Sequence, residues 1–255
     1  MIATTIFGLA LAGFAAAAPT AAKNATVRLA PDCGALAQGL TLDDCQHMTN
    51  IGMAGQGENH FGSNGYIWIG DDGPNTFTFT NQAAQNVPIT LIMWDFPPND
   101  YEASFMNVRA PKISYSLPNV GDSVTISLEN GISGGWSTLN EHLTTLSQYG
   151  QIFNTWGEFT TGQYATVDVS RLVNMGGNFQ TVNVATGCVA DMDRCSFHCK
   201  NGANSCGDSG SYDLLNCSPD SNPNASTGTY DGINPEGGCQ GWSNGGHLDI
   251  ALGNY

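Results

Sequence analysis

Three stretches of the chain alternate apolar and polar residues with a period of two: Thr76-Phe77-Thr78-Phe79-Thr80, Lys112-Ile113-Ser114-Tyr115-Ser116-Leu117 and Ser123-Val124-Thr125-Ile126-Ser127-Leu128. That period belongs to strands with one buried and one wet face. Pro88 to Trp94 is more continuously apolar, as an inner strand is. Tyr164 to Val169 and Phe179 to Val184 predict two more strands, split by Asn174-Met175-Gly176-Gly177-Asn178, and His247 to Leu252 predicts a last one. Helical spacing is scarce. Only Leu139 to Gln148 admits a helix, and its apolar positions fit the period poorly. Many short strands joined by Gly, Pro and Asn turns predict an all-β sandwich or barrel.

Outside the strand-rich stretch the composition changes. Residues 1–18 read MIATTIFGLALAGFAAAA, with an apolar run from Ile6 that is too short to span a bilayer and ends in small residues before Pro19. This predicts a signal peptide over 1–18, cleaved near Ala17 or Ala18, although its start lacks the usual basic residue. Residues 19–74 read as a glycine-rich N-terminal segment in which Cys33 and Cys45 close a short loop, and 75–255 as the β-sandwich domain, loop-dominated from about 186. Eight cysteines, an even count in an exported chain, predict disulfides; spacing leaves open how Cys188, Cys195, Cys199, Cys206, Cys217 and Cys239 pair. Asn24-Ala25-Thr26 and Asn224-Ala225-Ser226 are glycosylation acceptors, while Asn216-Cys217-Ser218 is blocked by its cysteine. The expected location is secreted and extracellular.

Charge removes several functions. The net charge is −15, with 7 Lys+Arg against 22 Asp+Glu and no basic cluster. Nucleic acid and anionic membrane surfaces are therefore excluded as partners, because both need cationic patches. Such a charge favours a cationic partner and good solubility.

Three motifs have plainer readings. Gly207-Asp208-Ser209-Gly210 resembles a serine-protease nucleophile segment, but Ser211 follows where a second glycine belongs and no Ala-His-Cys segment precedes it. Gly131-Ile132-Ser133-Gly134-Gly135 fits a nucleophile elbow, yet that turn needs a buried parallel strand before it and a helix after it. Cys195-Ser196-Phe197-His198-Cys199 has metal-like spacing, but in an oxidising compartment its thiols are bridged. No metal site and no cofactor are expected. Glu158, in Thr155-Trp156-Gly157-Glu158-Phe159-Thr160, and Asp168, in Tyr164-Ala165-Thr166-Val167-Asp168-Val169, are different. Two carboxyls on neighbouring strands are candidates for acid/base work on a glycosidic bond; the competing role is structural, with Asp168 bonding backbone amides and Glu158 solvated.

The same stretch resembles the central part of thaumatin-like proteins, where a Thr-Leu-Ala-Glu-Phe segment leads to a strand ending in Asp-(Ile/Val)-Ser and then a Gly-Phe-Asn turn. Other pieces follow in the family's order: Phe77 to Asn81, Gly121 to Ile126, Cys188-Val189-Ala190-Asp191, Cys206-Gly207 through Tyr212 to Cys217, and Cys239 to Asn244. The resemblance spans about 75 to 252. It implies a thaumatin-like β-sandwich with a disulfide-rich C-terminal loop region, a Cys188–Cys217 bridge, and Cys239 returning near Cys188. It also implies an acidic cleft in which Glu158 and Asp168 take the family's glutamate and one aspartate. The next aspartate falls at Asn174, the arginine has no match near Trp136, and the last aspartate is Asp220 or Asp231. Gln82 replaces the family's first-strand cysteine. The chain also resembles secreted fungal candidate effectors over Asn154 to Thr160 and Val167 to Met175.

The expected function is that of a secreted, non-enzymatic protein, a monomer, acting at a host or cell-wall surface as a virulence-type factor. Its partner would be a host extracellular protein or a cell-wall polysaccharide. The alternative is a β-1,3-glucan-binding or weakly glucan-hydrolysing protein. It would use Glu158 and Asp168, with Trp136 and Trp156 as candidate sugar platforms; core packing is the competing role for both tryptophans.

Overall fold

The computed structural model describes residues 30–84, 87–96 and 110–253. The signal peptide 1–18 and Asn24 lie outside them. Among the described residues one helix, α1 (Leu42–Ile51), precedes fifteen strands: β1 (Ile67–Ile69), β2 (Asn75–Asn81), β3 (Ile89–Asp95), β4 (Ile113–Leu117), β5 (Ser123–Leu128), β6 (Ser133–Asn140), β7 (Trp156–Thr160) and β8 (Thr166–Ser170). The series continues with β9 (Gln180–Val184), β10 (Val189–Ala190), β11 (Ser196–Cys199), β12 (Tyr212–Leu215), β13 (Ala225–Thr229), β14 (Pro235–Cys239) and β15 (Gly246–Leu252). The protein is all-β.

The strands form two packed sheets. The first runs β1-β5-β2-β15-β9-β10; the second runs β12-β11-β8-β7-β6-β3-β4, with the β13–β14 hairpin joined to β8 through Cys239 opposite Val167. Alternation in β2 sends Phe77 and Phe79, both fully buried, between the sheets and leaves Thr76, Thr78 and Thr80 on the open face. There the aromatics meet edge to face, Phe77 with Phe159 at 5.1 Å and Phe79 with Trp136 at 5.3 Å, a geometry the ring quadrupoles favour. Gly157 makes this packing possible, since a Cβ there would lie 2.0 Å from the Trp136 ring.

The second sheet is buried on its outer face too. Thr41 caps α1 by accepting from the Asp44 amide, and Gly52, left-handed at φ 88°, ends it. Cys45 and Met48 of α1 pack on Ile92, Trp94, Leu139, Ile152 and Trp156. Residues 30–74 are thus part of the sandwich: α1 covers one sheet and β1 pairs with β5 in the other. No helix forms over Leu139–Gln148, the stretch whose sequence admitted one. Leu139 and Asn140 end β6, which pairs with β3 and β7, and Leu146 bridges back to Ile152.

Cys33–Cys45, Cys188–Cys239, Cys195–Cys217 and Cys199–Cys206 are bonded. The Cys188–Cys217 pairing implied by the family resemblance is corrected. The β11–β12 hairpin sets Ser196 opposite Leu215, so Cys195 and Cys217 meet just beyond its end. Cys239 returns to Cys188 because β14 lies against β10.

Candidate functional site

Glu158 and Asp168 sit directly opposite each other on antiparallel β7 and β8. Directly opposed residues hold their Cβ atoms about 5 Å apart, so the two carboxyls meet on one face. That face is the outer one. Phe159 and Val167, one residue away on each strand, point into the core between the sheets. The same transverse row continues through Gly135 to Trp94, and a Cβ on Gly135 would approach Phe96 to 2.9 Å. Apolar packing flanks the pair on both sides: the α1 layer beyond Trp94 and Trp156, and the cluster of Leu172, Phe197 and Tyr212.

Asp168 is buried and Glu158 half-buried. Burial pushes Glu158 up to about 7, against a smaller opposing effect from its hydrogen bond with Ser170. Asp168, 8% exposed, rises well above the usual carboxylate range because it is buried and, secondarily, because it faces Glu158. Its Oδ1 has no hydrogen-bond partner among the described residues. Two carboxyls facing each other cannot both ionise cheaply, so at least one keeps its proton well above the usual carboxylate range. Such a pair offers one O–H donor beside several acceptor lone pairs, a set suited to the hydroxyls of a sugar.

Tyr212 and Tyr230 extend the site. Burial, then the neighbouring Tyr230, raises the Tyr212 phenol, which also feels Glu158 and Asp231. Asp231 therefore lies on the Tyr212 side of the pair. It is exposed and accepts from the backbone amides of Asn234 and Ile233, the first of which chiefly lowers its pKa. Asp220 is exposed, and no hydrogen bond or ion pair joins it to Glu158 or Asp168 among the described residues. Asn174 caps a turn through the Gly176 amide.

The sugar-platform role is corrected for both tryptophans. Trp136 is fully buried between the sheets and donates to Gln180; Trp156, 2% exposed, stacks on Trp94 under α1 and donates to the Ile152 carbonyl. Neither ring presents a face to a ligand. Tyr212 and Tyr230 were missed as site residues because their positions depend on the β11–β12 and β13–β14 pairings, distant in sequence from Glu158.

The remaining motifs are structural. Ser133 opens β6 and shares a hydrogen bond with Thr160, with a strand rather than a helix after it. Ser209 accepts from Asn234 in a loop, and His198 donates to the Met192 carbonyl while Cys195 and Cys199 are bridged. Asn224 is exposed but donates to the Thr186 carbonyl, a bond that glycosylation would disturb. No protein-family model matches the chain, and comparison with curated proteins finds no match.

Proposed function

We propose that this is a secreted, thaumatin-like protein without an enzymatic role, which acts at a host or cell-wall surface by binding a wall polysaccharide over the Glu158–Asp168 face, in the manner of a fungal effector. The observation carrying this reading is the pair itself: two carboxyls in register, one of them with an unpartnered oxygen, on the outer face of a sheet. Four disulfides among the described residues are compatible with an oxidising, extracellular setting. Two features weigh against turnover. Asn174 stands where the family resemblance asks for an aspartate, and Trp136 and Trp156 are packed inside.

One observation favours a second reading, weak β-1,3-glucan hydrolysis. Glu158 holds its proton up to about 7, as a general acid must, and Asp168, directly opposite on β8, would be the second carboxyl. The test is a pull-down of the oxidised protein on insoluble β-1,3-glucan, chitin and cellulose, with released sugar assayed alongside. Binding without release, lost in Glu158→Gln/Asp168→Asn, is the expected result. Release lost in that double variant would select the hydrolase. Neither binding nor release would reject the polysaccharide and direct the search to host extracellular proteins.

A further inference from the structure

A second polar cluster lies at the other end of the covered face, where α1 meets the turn after β6. His47, on α1, places its Nε2 2.8 Å from the carbonyl of Thr144. A carbonyl only accepts, so Nε2 carries the proton. His142 places its Nε2 2.7 Å from Oδ1 of Asp44. The other carboxyl oxygen, Oδ2, accepts from the hydroxyls of Thr41 and Ser116. The carboxyl thus accepts at both oxygens, and the His142 Nε2 also carries a proton. In the neutral rings both Nδ1 atoms keep their lone pairs, and neither forms a hydrogen bond among the described residues. Neither is one of the sealed, unpartnered polar atoms of the interior.

The rings also face each other at a telling separation. Their centroids are 5.6 Å apart and their planes are inclined at 52°. Two imidazoles bound to one tetrahedral metal ion, with metal–nitrogen distances of about 2 Å, hold their centroids roughly 5 Å apart. Imidazoles that bind metals commonly donate the other ring N–H to a carboxylate or a backbone carbonyl, which fixes the tautomer. Asp44 and Thr144 fill those two roles here. The backbone aims His142 at the helix through consecutive left-handed residues, Glu141 at φ 56° and His142 at φ 55°.

We infer that His47 and His142 form a site for a divalent transition-metal ion, zinc or copper, which they bind through their Nδ1 atoms. Two neutral imidazoles select such ions over calcium or magnesium, which require oxygen donors. They leave further coordination positions to water or to an oxygen of a second ligand. The site bridges the N-terminal layer to the sandwich, so a bound ion would tie α1 to the end of β6.

Metal-stripped, oxidised protein titrated calorimetrically with zinc chloride, and separately with copper(II) chloride, tests the assignment. One ion per chain is expected. His47→Gln and His142→Gln keep an amide donor for Thr144 and Asp44 but lose the ligand nitrogen, and each should weaken binding by about tenfold or more. His60→Gln and His247→Gln, at exposed ion pairs with Glu58 and Asp249, should leave it unchanged. Electron paramagnetic resonance of the copper-loaded wild-type chain needs no variant and should show two coordinating nitrogens. No saturable binding overturns the inference. So does an affinity that both His47→Gln and His142→Gln leave intact, or a copper spectrum with fewer than two nitrogens.

Discussion

Glu158 departs from ordinary carboxyl behaviour because β7 turns it towards a face that protein, not water, flanks on both sides. Its pKa rises from an ordinary 4.5 to about 7, and Asp168 moves the same way. Between those two values the folded chain binds more protons than the unfolded chain. The stability contributed by Glu158 is therefore full below 4.5 and is lost as pH rises through about 7, and that of Asp168 is likewise lost with rising pH. Asp44 and Asp231 are shifted the other way, so their contribution disappears as strong acid protonates them. Stability should peak in mild acid. The wild-type melting temperature should be lower at about pH 8 than at about pH 5, and Glu158→Gln should narrow that gap. A gap of unchanged size in the variant would show that Glu158 is not the group responsible.

At the scale of the element, α1 owes its start to Thr41, whose side chain accepts from the Asp44 amide. Thr41→Ala should cost about 1 kcal/mol in urea denaturation, the usual cost of losing an N-cap. A loss close to zero would mean that packing on Trp94 and Trp156 alone sets the helix boundary. The helix escapes a reading of hydrophobic period because its buried face holds Asp44 and His47 as well as Cys45 and Met48. Its caps, Thr41 and Gly52, were the available signal. β6 was equally hidden, since Gly134-Gly135 and a run of Ser and Thr carry no alternation although nearly every position is buried. By contrast, β2 and β5 have one core face and one wetter face, and their period of two is visible directly; β4 shows the same period although Ser114 and Ser116 are buried against the N-terminal segment, where they bond Gly57, Asn59 and Thr41. Glu158 and Asp168 were legible because each carboxyl interrupts a strand otherwise able to be buried. Their tyrosine neighbours were not, because those arrive through long-range pairing.

Across the whole molecule, the disulfides differ in the length of chain they close. Cys188–Cys239 spans 51 residues and Cys199–Cys206 spans 7. Loop-closure entropy grows with that span, giving about 4 kcal/mol for the first and about 2 kcal/mol for the second. Equilibrium denaturation of Cys188→Ala/Cys239→Ala and of Cys199→Ala/Cys206→Ala should reproduce that order; the reverse order would point to packing rather than chain entropy. The sheet of β2 and β15 imposes a further constraint, this time on biosynthesis. β15 lies between β2 and β9 and runs parallel to β2, and Thr76 bonds His247 across 171 residues of sequence. As the chain emerges amino end first, β2 must wait for β15 with one backbone edge unpaired, and so must β9. That sheet cannot close before β15 has emerged. Until then the nascent protein carries two open strand edges that other chains could pair with, and its safe passage depends on keeping them apart.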